Sequence, residues 1–159
     1  MRSDAATSAT NDEPVLNPVR NHLIHTGRKN FDRRPKKGLS RCCHPYKLAT
    51  LNCRTLRSEA SRAELDKLMD TYNITVTCVQ EHRHVHSDSD PDIVARSIGS
   101  CTLFTSSAVR NDQNASIGGV AIAINTKFLP LLESVKKVNE RIIKATFKGN
   151  PKTVVISCY

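Results

Sequence analysis

Two polar side chains that could bind a cation follow two predicted strands. Asn52 ends the apolar run at residues 47–52, and Glu81 directly follows the alternating run at residues 74–80. If these strands pair in parallel, their carboxyl ends meet at one edge of the sheet, where open α/β sheets bind ligands. A carboxylate at such an edge suits Mg²⁺, which often takes only one or two protein carboxylates and keeps several waters. The alternative is that both residues simply close loops.

A strand–helix–strand unit is predicted to position these two residues. Ser61 and Glu64 have the spacing of a capping box, in which the serine accepts from the glutamate amide and the glutamate reaches back. The helix that follows has an apolar face made of Leu65, Leu68, Met69 and Tyr72. Asn73 ends this helix, and residues 74–80 then alternate as a half-buried strand. Strands joined by a helix pair in parallel with a right-handed crossover, so the two polar residues are expected at the same edge.

The rest of the chain is predicted to consist mainly of strands. Four runs are typical of strands: residues 102–105, 118–125, 141–148 and 153–159. The last two flank a Gly-Asn-Pro turn, which predicts a hairpin. Residues 125–139 contain Pro130, so a loop or a short turn is expected there.

Histidines and cysteines raise the question of a transition metal. His82, His84 and His86 alternate, and on a strand all three would face one side, as metal ligands do. The alternative is a solvated cluster, because the stretch leads into a loop rich in Ser and Asp, which holds Asp88, Asp90 and Asp92. The six cysteines include no Cys-x-x-Cys pair, and the Cys42-Cys43-His44 run has no second ligand pair at suitable spacing. We therefore expect free thiols with no disulfide partner.

Residues 1–46 differ in composition from the rest of the chain. Nine Lys and Arg against four Asp and Glu give them a net charge of +5, more than half of the +9 carried by all 159 residues. Four prolines among Asn, Ser, Thr and Asp leave too little apolar sequence to offset the entropy of ordering. We therefore expect a mostly disordered basic tail at 1–46 and a domain at 47–159. The basic cluster at 28–37 is typical of a nucleic-acid arm or nuclear import signal, or of a solvated charge run.

The composition excludes several classes of protein. No apolar run approaches the ~18 residues that a membrane helix needs, and the N-terminus lacks the apolar stretch of a secretory signal. Collagen, coiled-coil and disulfide-scaffold compositions are absent. We expect an intracellular protein, nuclear rather than cytoplasmic, that does not engage membranes.

Motifs around the two polar residues resemble those of the endonuclease/exonuclease/phosphatase superfamily. The segments that carry the resemblance are LNCRTL at 51–56, VQEHR at 79–83, GGV at 118–120, RII at 141–143 and VISCY at 155–159. The sequence is most similar to the endonuclease domains of non-LTR retrotransposons, which accompany a reverse transcriptase, and to the related craniofacial development protein 2-like sequences. The resemblance covers residues 47–159. It implies an α/β fold, the first half of a two-sheet α/β sandwich.

The same resemblance implies a Mg²⁺-dependent DNA endonuclease, a phosphodiester hydrolase, and roles for individual residues. Glu81 matches the metal-binding glutamate, Asn52 the asparagine that orients it, and Tyr159 a tyrosine that contacts the phosphate or the nucleophile. Cleavage of a phosphodiester needs such a cation and donors around the phosphoryl oxygens. Arg83 and Arg141 could contact phosphates. Arg141 could equally well form a structural ion pair instead. The implied partner is DNA, with RNA as the alternative.

Later motifs of the family do not occur in these 159 residues. In the family the tyrosine is followed by Ala-Pro or Ser-Pro, an Asp/Asn pair, a further Asp and a final Asp-His. The Asp of the pair and the final His are the groups expected to orient and deprotonate the attacking water. We therefore expect a fragment that binds Mg²⁺ weakly and does not cleave DNA by itself. We also expect the inner face of its sheet to be uncovered and its stability to be marginal. The alternative function is a non-catalytic basic nucleic-acid-binding module or a domesticated pseudo-nuclease.

Overall fold

A computed structural model of the chain describes residues 46–159 and, before them, the strand β1 (Leu23–His25). The remainder of the predicted tail, with its basic cluster and Cys42, Cys43 and His44, lies outside the described residues. β1 pairs with the edge of the main sheet and was not indicated by the sequence patterns. Tyr46 packs its ring against Phe128 and Phe147, at centroid distances of 5.9 and 6.2 Å.

The main sheet is mixed and has six strands in the order β1-β2-β3-β8-β5-β4. Its other strands are β2 (Leu48–Asn52), β3 (Val76–Gln80), β4 (Ile93–Ile98), β5 (Cys101–Ser106) and β8 (Val120–Asn125). β2 and β3 pair in parallel, as predicted, and all other neighbours are antiparallel. β8 lies in the middle, and its first five residues are all buried, which explains its continuous apolar run. β4 was not predicted.

One helix, α1 (Glu59–Thr71), connects β2 to β3 and covers one face of this sheet. Its buried residues, Leu65 and Met69, pack against side chains of the sheet such as Leu51 and Val79. Tyr72 is 53% exposed, so its predicted place on the apolar face is wrong. The predicted capping box of Ser61 and Glu64 is also wrong, because Ser58 is the N-cap.

The helix begins one turn earlier than the capping-box pattern suggests. Ser58 is the N-cap, and its hydroxyl accepts from the Ser61 amide at 3.0 Å. Ser61 lies inside the first turn, where its hydroxyl donates to the Ser58 carbonyl at 2.9 Å. Both serines precede residues that can form a helix, and the hydroxyl of the earlier one accepts from a free amide of the first turn. Asn73, with a φ of 50°, follows the end of the helix as predicted.

A second sheet covers the other face of the main sheet. Its strands are β9 (Leu132–Asn139), β10 (Ile142–Phe147) and β11 (Thr153–Cys158), all antiparallel, in the order β11-β10-β9. Ile143 and Phe147 of this sheet are fully buried in one cluster with Val76, Val120 and Ile122 of the main sheet. The described residues thus form three layers: helix, six-stranded sheet and three-stranded sheet.

Two sequence predictions about this region are wrong. The expectation of an uncovered inner face fails, because β10 and β11 lie on β3 and β8. The expectation of a loop or short turn at 125–139 fails in its second part: a short 3₁₀ helix (Thr126–Leu131) holds Pro130, but the strand β9 follows it directly. The predicted hairpin of β10 and β11 is confirmed.

A small two-stranded hairpin, β6 (Val109–Arg110) and β7 (Ser116–Ile117), leads into β8. Within the described ranges, no helix is both long and apolar enough to cross a bilayer. The four cysteines at positions 53, 78, 101 and 158 are free thiols.

Candidate functional site

The parallel pairing of β2 and β3 brings Asn52 and Glu81 together. Asn52 is in register with Gln80, so Glu81 is the next residue past the carboxyl edge of the sheet. The Asn52 side-chain amide donates to Glu81 Oε1 at 2.8 Å. Its carbonyl Oδ1 accepts from the Arg54 backbone amide at 3.2 Å, which fixes which end of the amide faces the carboxylate. The strand positions predicted that both side chains lie at this edge, and the hydrogen bond joins them there.

Two glycines before β8 hold the backbone on which Glu81 stands. The Glu81 amide donates to the Gly119 carbonyl at 2.9 Å, and the Arg83 amide donates to the Gly118 carbonyl at 3.1 Å. Glu81 and Arg83 both adopt a φ of 58°, in the left-handed region that non-glycine residues rarely enter. Such conformations persist where surrounding bonds enforce them, and they cluster at functional sites. The apolar pattern predicted the glycine pair at the start of a strand but did not indicate this positioning role.

The Glu81 carboxylate is negatively charged and reachable from solvent. Its Oε2 accepts from Arg83 Nη2 at 3.2 Å, and its side chain keeps 18% of its surface exposed. The hydrogen bond from Asn52 is the main cause that lowers the pKa of Glu81, and the Arg83 guanidinium lowers it further through a hydrogen bond and its charge. The Tyr159 hydroxyl adds a smaller effect in the same direction, while partial burial opposes it. The group is therefore ionised at neutral pH, as a metal-binding carboxylate must be.

The last strand brings Tyr159 to the same edge. Its ring lies beside Gly118, with Cε1 3.6 Å from the place that a Cβ on this glycine would occupy, and it is 54% exposed. The Tyr159 amide donates to the Arg141 carbonyl at 3.0 Å, so Arg141 lies at the same end of the β10–β11 pair. The Arg141 side chain is exposed, and no carboxylate of residues 46–159 lies within ion-pairing distance of it. The structural ion pair considered for Arg141 is thus not found among these residues.

A polar connection between the two sheets lies just behind this edge. Thr50 Oγ1 donates to Gln80 Oε1 at 3.2 Å, and Gln80 Nε2 donates to Ser157 Oγ at 3.3 Å. The Ser157 hydroxyl, which is 1% exposed, donates in turn to the Val79 carbonyl at 3.3 Å. β2, β3 and β11 are therefore joined by side chains as well as by apolar packing.

The three histidines do not form a metal site. Residues 81–87 are not a strand, and each imidazole bonds to a different group: His82 to the Ser106 carbonyl at 2.9 Å, His84 to the Leu56 carbonyl at 3.0 Å, and His86 to Thr105 Oγ1 at 2.9 Å. The prediction that the three histidines face one side of a strand is therefore wrong. Over residues 46–159, no group of three His, Cys, Asp or Glu side chains converges as metal ligands do.

His82 instead supports the loop from within. It is fully buried, and its Nδ1 accepts from the His84 amide at 3.0 Å, so Nε2 carries the proton that is donated to Ser106. Burial lowers the pKa of His82 to about 4. The ring is therefore neutral at physiological pH, and it packs directly against Gly119.

Glu81 is a carboxylate that could hold a cation at this edge, with water completing the coordination. Glu81 offers oxygen ligands of the kind that Mg²⁺ prefers, but Asn52 and Arg83 already donate to both of its oxygens. Comparison with known proteins adds no assignment: no protein-family model matches the sequence, and no curated protein is significantly similar to it. The functional interpretation therefore depends on the geometry of this site and on the motifs that form it.

Proposed function

We propose that the protein carries the Mg²⁺- and phosphate-binding part of an endonuclease/exonuclease/phosphatase-type DNA endonuclease, and that it does not cleave DNA by itself. The observation that carries this proposal is the 2.8 Å hydrogen bond from Asn52 to Glu81 at the carboxyl edge of a parallel strand pair. It joins the two residues that match the metal and metal-orienting positions of that superfamily. The lowered pKa of Glu81 agrees with a carboxylate kept ready for a cation.

Each residue at the edge has a chemical role in this proposal. Glu81 binds the cation, Asn52 orients its carboxylate, and Tyr159 and Arg83 present a hydroxyl and a guanidinium to a phosphate. A bound Mg²⁺ would stabilise negative charge on the phosphoryl oxygens. Cation binding has to compete with Arg83, which is why we expect weak affinity.

A base for activating water is not found among the described residues near Glu81. His82 is buried and bonded at both ring nitrogens, and His84 and His86 are each tied to neighbouring groups. Asp90 accepts from the Ser87 amide at 2.8 Å within its own loop. We therefore expect this chain to bind nucleic acid and Mg²⁺ without hydrolysing the phosphodiester.

Mg²⁺ binding to the purified 159-residue chain tests the cation site. We expect Mg²⁺ to shift the NMR signals of residues around position 81 in wild type, and Glu81→Gln to abolish the shift because it removes the charge while keeping the shape. Glu133→Gln is the matched control, since Glu133 is also paired with a basic side chain, that of Lys152 at 2.6 Å, on β9. A Mg²⁺ response that survives Glu81→Gln would contradict the assignment.

A plasmid-nicking assay tests the absence of cleavage. We expect no Mg²⁺-dependent nicking by the pure chain. Nicking that is present in wild type and lost in Glu81→Ala would show that the chain is a complete nuclease and overturn that part of the proposal. Mg²⁺-independent DNA binding without nicking, combined with no Mg²⁺ response, would favour the alternative, a non-catalytic nucleic-acid-binding module.

A further inference from the structure

Next to the Glu81 site lies a cleft of about 330 Å³ lined by three arginines from distant parts of the sequence. Arg57 comes from the segment between β2 and α1, Arg83 from the segment after β3, and Arg110 from β6 of the small hairpin. The remaining lining residues are Thr55, Asn114, Ala115 and Ser116, and none of these is acidic. Three like charges around one cleft repel one another unless an anion lies between them.

The arginines of this cleft have hydrogen-bond donors to spare. Arg83 gives Nη2 to Glu81, but its Nε is buried and has no partner among the described residues. Arg110 gives only Nη1, to the Asn114 carbonyl and side-chain oxygens at 3.3 and 3.0 Å. Because the Nε of Arg83 is buried, an anion in the cleft would not reach it. A phosphate group, with several acceptor oxygens, would instead accept from the guanidinium groups of Arg57 and Arg110, whose side chains are exposed. The planar, forked guanidinium suits such a group.

Arg83 connects this cleft to the cation site. The same guanidinium lines the cleft and contacts Glu81 Oε2 at 3.2 Å, so an anion in the cleft and a phosphate at Glu81 would be neighbours. We propose that the cleft of Arg57, Arg83 and Arg110 binds a second phosphate of a nucleic-acid strand whose adjacent phosphate lies at Glu81. This inference rests on the proposed function for the position of the first phosphate. It assigns Arg57 and Arg110, neither of which the sequence motifs singled out, to binding of the strand.

Salt-dependent DNA binding by the full chain tests the cleft. The probe is a fluorescein-labelled 20-base-pair duplex in EDTA, titrated by anisotropy at several salt concentrations, so that Mg²⁺ at Glu81 plays no part. We expect Arg57→Gln and Arg110→Gln each to weaken binding about tenfold, the worth of one charge-assisted hydrogen bond. The slope of log K against log salt should also fall by about 0.9 for each lost phosphate contact.

Arg96→Gln is the matched control, because Arg96 is an exposed arginine of β4 that does not line this cleft. The residues 1–46 keep their charge in every variant, so their non-specific contribution cancels in the comparison. Arg110→Lys keeps the charge without the fork, and we expect it to restore the salt slope but only part of the affinity. Circular dichroism of each variant checks that the fold is retained.

Equal effects of Arg57→Gln, Arg110→Gln and Arg96→Gln would overturn the inference, since they would mean diffuse charge attraction. Full displacement of the duplex by a few millimolar inorganic phosphate would also overturn it, because it would mean a site for a single free anion. Neither result depends on Mg²⁺ binding at Glu81. The inference and the proposed function can therefore fail separately.

Discussion

Replacing Gly119 by alanine should destabilise the protein far more than the same change at Gly118. Both glycines have positive φ, 88° and 67°, so an alanine is strained at either position. They differ in the space around them. A Cβ at Gly119 would lie 2.7 Å from His82 Nε2 and 2.8 Å from Cε1, whereas a Cβ at Gly118 would meet only the exposed Tyr159 ring at 3.6 Å.

The magnitudes follow from these distances. A left-handed conformation costs an L-residue about 1–2 kcal/mol, and this applies to both variants. At Gly119 the clash adds an overpacking cost of about 1–3 kcal/mol, because the His82 ring is bonded at both nitrogens and cannot move away freely. We therefore expect losses of about 1–2 kcal/mol for Gly118→Ala and about 2–5 kcal/mol for Gly119→Ala.

Urea unfolding followed by circular dichroism measures the difference. With an m-value of about 1–3 kcal/mol/M, an excess loss of 2 kcal/mol lowers the midpoint by about 0.7–2 M below that of Gly118→Ala. The Gly119 carbonyl also accepts a hydrogen bond from the Glu81 amide, so Gly119→Ala should weaken the Mg²⁺ response as well. Equal midpoints for the two variants would refute the idea that the His82–Gly119 contact is tight and structurally required.

Three further outcomes are expected. The pKa of His82 is about 4 in the folded state and about 6.5 in the unfolded state, so the unfolded state binds more protons between these values. The free energy of unfolding should therefore fall by on the order of 3 kcal/mol as the pH drops from 6.5 to 4. A flatter pH profile of His82→Gln would confirm His82 as the source. Ser58→Ala should lower the free energy of unfolding in urea by about 1 kcal/mol and Ser61→Ala by less, because Ser58 is the N-cap. A larger loss for Ser61→Ala would support Ser61 as the N-cap instead. Asn52→Ala should raise the pKa of Glu81 in a carboxylate NMR titration, since it removes the main bond that favours the charged form, and an unchanged midpoint would contradict that role.

Local patterns were sufficient for the centre of the fold. The parallel pair of β2 and β3 followed from two apolar runs joined by one amphipathic helix, and it placed Asn52 beside Glu81. β8 and the β10–β11 hairpin followed from continuous and alternating apolar runs. These features depend on residues close in sequence or on a general rule for crossovers.

Features that depend on tertiary contacts could not be predicted in this way. β9 has an irregular burial pattern and register shifts in its pairing with β10, so no clean alternation marks it. The burial of His82 depends on Gly119 and Ser106, which are remote in sequence. The cleft likewise combines Arg57, Arg83 and Arg110 from three separate elements. None of these associations leaves a short-range signal.

The hydrogen bonds of Gln80 and Ser157 bear on how the two sheets are aligned. Apolar side chains attract without direction, so the packed layers alone would allow one sheet to slide over the other. Ser157 is bonded to both Gln80 and the Val79 carbonyl, which fixes one position of β11 along β3. Glu81 is the residue after Gln80, and Tyr159 is two residues after Ser157. The hydrogen bonds of Ser157 therefore fix the register of the two sheets, and with it the distance between the Glu81 carboxylate and the Tyr159 phenol.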